Sequence, residues 1–151
     1  MSRIFNEGKK FENKGFQQIP LEEGDYESCT FINCDLSGSD LSDINFFECE
    51  FLECNLSLVK LTQTSFREAK FKNCKLLGLH FEECNSLILS LSFEGCSLDL
   101  CSFNKLKLKN TLFKNKNLVG CIAKINKPCS WCKTWSKFFD NRDFKFIMFS
   151  W

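Results

Sequence analysis

The sequence predicts an all-β fold, a chain that turns through four sides and stacks coil on coil, and two observations predict it. Large apolar residues recur at every fifth position, and small uncharged residues hold the position two before each of them. From Phe31 the run reads Phe31, Leu36, Leu41, Phe46, Phe51, Leu56, Leu61, Phe66, Phe71, Leu76 and Phe81, eleven positions without an exception. Phe and Leu make up roughly a quarter of the chain, so such a run in one frame is expected about once in several million trials. Two places earlier stand Cys29, Cys34, Ser39, Ile44, Cys49, Cys54, Val59, Thr64, Ala69, Cys74 and Leu79, none of them charged.

Residues two apart point to the same side of an extended strand, so a small and a large residue separated by one polar residue both face inward. The remaining two residues of each five turn the chain. A step of five fits neither the 3.6-residue helix nor a long alternating strand, which would lose its inward face at every second repeat. Four bends return the chain to its starting side, giving coils of twenty residues at the ordinary strand spacing of about 4.8 Å. Stacking at twenty aligns Phe31 with Phe51 and Phe71, Leu36 with Leu56 and Leu76, and Leu41 with Leu61 and Phe81.

Taken in order, residues 1–15 read as a lead-in and 16–118 as the coil, with weaker in-frame members at Phe11, Phe16, Leu21 and Tyr26. After Phe81 the frame slips by two and resumes at Phe93, Leu98, Phe103, Leu108, Phe113 and Leu118. The inserted pair is expected to bulge as a loop near 84–87. Lys116 falls on an inward small position, where an unpaired ammonium is costly to bury, so the coil is expected to end or open there. Residues 119–151 form a non-repeat aromatic and basic tail, irregular or holding a short helix from near Ser130 with Trp131, Trp135, Phe138 and Phe139 on one face.

With 151 residues, 44% hydrophobic and 26% charged, the chain is the size of one domain and globular in composition. Its net charge of +1 gives no bulk argument for direct nucleic-acid binding. No apolar run is long enough to span a membrane, and the first ten residues are too polar for a signal peptide, so a cytoplasmic location is expected.

Nine of the eleven cysteines, Cys29, Cys34, Cys49, Cys54, Cys74, Cys84, Cys96, Cys101 and Cys121, occupy or continue the small inward position. Reduced Cys packs as a small hydrophobe, so these are expected to be free thiols in the core. Cys129 and Cys132 form a lone C-x-x-C, half of what a structural zinc site needs. His80 precedes an inward Phe and is expected at the surface. No phosphate loop, catalytic triad or zinc-protease motif is present, and candidate acids and bases lie on a regular outer wall. The expectation is a protein that is not an enzyme and takes no cofactor or metal.

Charge is segregated along the chain. Residues 21–59 hold ten acids and no Lys or Arg, whereas the tail from Lys114 nets +6. Glu22, Glu23, Asp40 and Asp43 fall on one side of the square and Asp25, Glu27 and Glu48 on the adjacent side. These seven are the candidate partner-binding residues, because acids on adjoining sides of a duplex-wide rod can offer phosphate-like charge to a DNA-binding groove.

The quintets Cys34-Asp35-Leu36-Ser37-Gly38, Ser39-Asp40-Leu41-Ser42-Asp43 and Cys54-Asn55-Leu56-Ser57-Leu58 resemble the alanine-aspartate/asparagine-leucine consensus of the pentapeptide repeat proteins. The resemblance covers about residues 16–118 and implies a right-handed, quadrilateral parallel β-helix. It resembles in particular the bacterial quinolone-resistance-type members, which implies a DNA mimic that binds a type II topoisomerase, DNA gyrase or topoisomerase IV, and protects it from quinolones. It also implies a homodimer through an aromatic C-terminal end, for which Phe144, Phe146, Phe149 and Trp151 are candidates. The family's larger topoisomerase-engaging loops have no counterpart here beyond the slip near Ser86. The alternative is a structural or scaffold protein with another protein partner, and a metal-linked role would fall to Cys129 and Cys132.

Overall fold

The structure, a computed structural model, describes residues 2–106, 111–114, 121–123 and 144–146. Strands β1 (Ile4–Glu7), β3 (Gly24–Glu27), β5 (Asn45–Phe47) and β7 (Ser65–Arg67) form one parallel sheet. A second joins β2 (Lys10–Glu12), β4 (Thr30–Ile32), β6 (Glu50–Leu52), β8 (Ala69–Lys72), β9 (Leu91–Glu94) and β10 (Thr111–Lys114). Register advances by twenty residues per coil, with Phe31 opposite Phe51 and Phe51 opposite Phe71. These sheets are the first and second walls of the square. The third and fourth are built from tight turns linked by single bridges such as Asp35 to Asn55 and Asp40 to Lys60. The architecture is the quadrilateral parallel β-helix expected from the five-residue period.

All eleven large positions from Phe31 to Phe81 are at most 2% exposed, and the small positions two before them are buried as well. Rings of the second wall stack face to face at the coil spacing: Phe11 on Phe31 at 4.7 Å, and Phe31 on Phe51 and Phe51 on Phe71 at 4.8 Å, each pair within 8° of parallel. From Tyr26 to Leu76 the chain turns each corner at the residue two after the inward ring or leucine, where φ is positive. Glycine takes this position at Gly38 and Gly78, while Asn13, Asn33 and Asn73 tolerate it through their short polar side chains.

Residues 4–12, within the segment read as a lead-in, already carry β1 and β2. The two-residue slip is real, since β8 pairs with β9 at a step of 22. Its loop lies later than expected. Cys84 stays inside, Asn85 N–H still donates to Thr64 O (2.9 Å), and Ser90 N–H donates to Phe66 O (2.9 Å). The chain leaves the first wall between those two bonds as a single 3-10 turn, Ser86–Ile88, whose Leu87 is 91% exposed. The inward position keeps Cys84 because it packs like the other cysteines, so the extra residues are displaced to the turn.

In the tail, β11 (Cys121–Ala123) pairs in parallel with β12 (Phe144–Phe146), a strand pair where an irregular or helical segment was expected. The predicted end at Lys116, the short helix near Ser130, Cys129, Cys132, Phe149 and Trp151 lie outside the described residues.

Candidate functional site

The candidate site is built from turn corners of the fourth wall and strand edges of the first. Residues one and two places after an inward side chain point outward, so Glu22 and Glu23 follow Leu21, and Asp43 follows Leu41 at the same place one coil on. Asp40 precedes Leu41 on that wall. On the adjoining wall Asp25 and Glu27 flank the inward Tyr26, and Glu48 sits at the next corner with φ of 52°. The structure thus brings all seven onto two adjoining walls of two successive coils, with Glu22, Glu23, Asp40, Asp43 and Glu48 exposed and Asp25 and Glu27 half-buried.

Local bonds fix several of these groups. Ser42 N–H donates to Asp40 Oδ1 (2.9 Å), and Ser42, followed by Lys60, holds the Asp40 carboxyl below its ordinary range. Asn45 Nδ2 donates to Asp25 Oδ1 (2.6 Å). Tyr26, whose hydroxyl donates to Glu22 O (2.8 Å), has its pKa pushed up by burial and then by Glu22. Asp35, on the third wall, is lowered by Ser37, whose hydroxyl donates at 2.6 Å and whose N–H donates at 3.0 Å.

Sequence reading missed two cations in this site. Arg3 Nη1 contacts Glu23 Oε1 (3.1 Å), and its Nη2 contacts Asp25 Oδ1 (3.2 Å), Gly24 O (3.4 Å) and Asp43 O (2.7 Å). Lys60 Nζ reaches Asp40 Oδ2 (3.2 Å). Both were within reach of a step of twenty, for Arg3 lies twenty before Glu23 and Lys60 twenty after Asp40. Counting charges only between residues 21 and 59 cut off exactly the neighbours that the coil stacks on either side.

The cysteines line the inside of the corners. Cys29, Cys34, Cys49, Cys54, Cys74, Cys84 and Cys96 are buried free thiols, and Cys101 is buried with its Sγ donating to Leu76 O (2.7 Å). Burial pushes the Cys34 and Cys84 thiols up and takes Cys49 to about 12, which keeps them protonated and poor nucleophiles. Cys74 is raised by its stacked neighbours Cys54 and Cys96 and by burial. Among the described residues no group of three or more His, Cys, Asp and Glu side chains is arranged to hold a metal ion. His80 is exposed beside Glu82 (3.2 Å).

This geometry defines the class: the chain folds as a pentapeptide-repeat β-helix. The family model described as the pentapeptide repeat region matches residues 25–91. Among solved structures, full-length QnrB1, a plasmid-mediated fluoroquinolone resistance protein, aligns at a TM-score of 0.52 and 17% identity over 96% of this chain and 82% of its own. A pentapeptide repeat protein from the Arabidopsis thaliana thylakoid lumen aligns at 0.35 and 16% identity over 87% of this chain and 73% of its own. Another, from the cyanobacterium Cyanothece 51142, aligns at 0.29 and 18% over 79% and 87%. No curated protein matches the chain significantly in sequence.

Proposed function

We propose that the chain is a non-catalytic binding protein whose two acidic walls offer phosphate-like charge to the DNA-binding groove of a type II topoisomerase, DNA gyrase or topoisomerase IV, in the cytoplasm. The observation that carries this reading is the density of carboxylates. Seven lie within two coils, about 10 Å of rod at the strand spacing, or about one per 1.4 Å. Double-stranded DNA carries about one charge per 1.7 Å. Resistance to fluoroquinolones is the property of QnrB1, and protection of a topoisomerase from such drugs is the corresponding proposal for this chain.

A second reading is a scaffold protein whose acids serve solubility, and the ion pairs of Arg3 and Lys60 favour it by neutralising part of the surface. Gyrase supercoiling in the presence of a fluoroquinolone separates the two. The chain is expected to restore supercoiling, and a folded variant carrying Glu22→Gln, Glu23→Gln, Asp40→Asn and Asp43→Asn is expected to lose that effect. Binding by the parent should also weaken steeply with salt. Binding of the quadruple variant as tight as the parent's would refute charge mimicry, and a parent that never binds a topoisomerase would leave the scaffold reading.

A further inference from the structure

The acidic corner is already occupied by a cation of the chain itself. Arg3, Glu23 and Asp43 stack at a step of twenty, and the guanidinium reaches four acceptors on the two coils beyond its own: the carboxylates of Glu23 and Asp25 and the carbonyls of Gly24 and Asp43. Strand β1 can deliver it there because Gly24 fills the small inward position. A Cβ at residue 24 would run into Ile4 Cγ1 and Ile4 O, so only glycine lets β1 close onto β3 at this point. A guanidinium with its fixed fork of donors suits such a set of acceptors better than an ammonium does.

We propose that Arg3 is an autoinhibitory contact, an internal stand-in for the arginine of a basic partner, which must displace it to engage the corner formed by Glu23, Asp25 and Asp43. The proposal rests on the reading that the acidic walls bind a basic surface, and it adds that the first contact on them is guanidinium exchange. With Arg3 and Lys60 seated, the seven carboxylates present a net −5 in place of −7. Arg3 is 41% exposed at its side chain, so its ion pairs are water-accessible and individually weak, as a displaceable contact requires.

The test uses a labelled nona-arginine peptide as the probe, read by fluorescence anisotropy in low salt. Arg3→Gln should bind the peptide about fivefold more tightly than the parent, the order expected when a weak surface pair stops competing. Lys72→Gln removes the same charge from the second wall, where Lys72 is exposed and away from the acidic corner, and should bind as the parent does. Equal affinity of the two variants overturns the proposal, as does a peptide that binds none of the proteins. If Arg3→Gln loses thermal stability, the intact chain gives the answer through the Arg3 Nε–H resonance during peptide titration. A resonance that shifts as the peptide binds supports displacement, and one that stays in place at saturation overturns it. Failure of the gyrase assay with the peptide result intact would remove the topoisomerase and leave the exchange.

Discussion

The two strand walls and the two turn walls carry the same five-residue period but settle their corner carbonyls differently. On the turn walls the carbonyl of the inward residue accepts an N–H from three residues on in the same coil, as Leu36 O does from Ser39 (3.0 Å) and Leu61 O from Thr64 (3.1 Å). On the strand walls the carbonyl of the inward residue belongs to the parallel ladder, and a thiol from the coil above donates to it as well. Cys34 Sγ donates to Phe11 O (3.5 Å), Cys54 to Phe31 O (3.4 Å), Cys74 to Phe51 O (3.1 Å) and Cys96 to Phe71 O (3.3 Å). Cys29 and Cys49 do the same beneath the first wall, toward Asn6 O and Tyr26 O. The cysteines are therefore more than small apolar fillers. They sit mainly at corners leaving strand walls, where the thiol adds a second donor to a carbonyl of the ladder, and Cys101 does the same on a turn wall toward Leu76 O (2.7 Å).

The inward side chain does not itself decide the wall type. Phe81 and Phe103 stack on the fourth wall at 4.8 Å and 4°, as closely as any pair on the second wall, yet Phe81 begins a 3-10 turn, Phe81–Glu83. Stacked rings accept either backbone.

The most drastic way to break the comparison is to charge the inside of a strand wall. Phe51 is fully buried between Phe31 and Phe71, while its neighbour Glu50 points outward to Lys70 (3.7 Å). Phe51→Asp adds an unpaired buried charge to the loss of two stacked contacts, a cost of several kcal/mol that is about the whole stability of a domain. The variant should be unfolded by circular dichroism. Glu50→Lys should shift the thermal midpoint by only a degree or two, within the range of surface changes. Equal midpoints would overturn the inward and outward assignment.

A middle-sized effect sharpens the role of the thiols. Cys54→Ala removes a thiol that donates to Phe31 O and should cost about 0.5–1.5 kcal/mol by urea unfolding, the net worth of one buried hydrogen bond. Cys54→Thr should recover most of it. Thr64 holds the equivalent small inward position and its hydroxyl donates to Leu41 O at 2.8 Å, so the geometry accepts a hydroxyl there. Should threonine cost as much as alanine, packing and not donation would be what cysteine supplies.

Most of the coil was legible because its cause is a short period: inward positions, stacked partners at twenty and the slip after Phe81 all follow from counting. The same count reaches lateral contacts, since Asn33 bonds Asn13, Lys60 pairs with Asp40 and Asn45 bonds Asp25, each twenty apart. Wall type was not legible, because it depends on which donor reaches each carbonyl and not on hydrophobicity. The loop was misjudged by about two residues, since the period alone does not say which member of an inserted set stays inside. The acidic walls were found, but their cations Arg3 and Lys60 were not, because each lies outside the acidic stretch and meets its carboxylate only across a step of twenty.

The smallest effect concerns the corners of the turn walls. Asp35 and Asp40 each stand just before an inward leucine and accept the N–H two residues on, from Ser37 and Ser42. Both carboxyls lie below their ordinary value, chiefly through the serine of the same turn. A carboxyl whose folded pKa is depressed binds protons more readily in the unfolded chain, so its stabilisation is complete above the unfolded value of about 3.9 and fades as pH falls through the lower folded value. Both groups are exposed, so solvent screening keeps the effect modest. The thermal midpoint of the parent should fall as pH drops below about 4, and Ser37→Ala combined with Ser42→Ala should flatten that fall, while the strand walls, which lack these aspartate turns, should contribute little to it. An acid limb as steep in the double variant as in the parent would mean that other carboxylates, and not the turn-wall corners, set the acid stability of the coil.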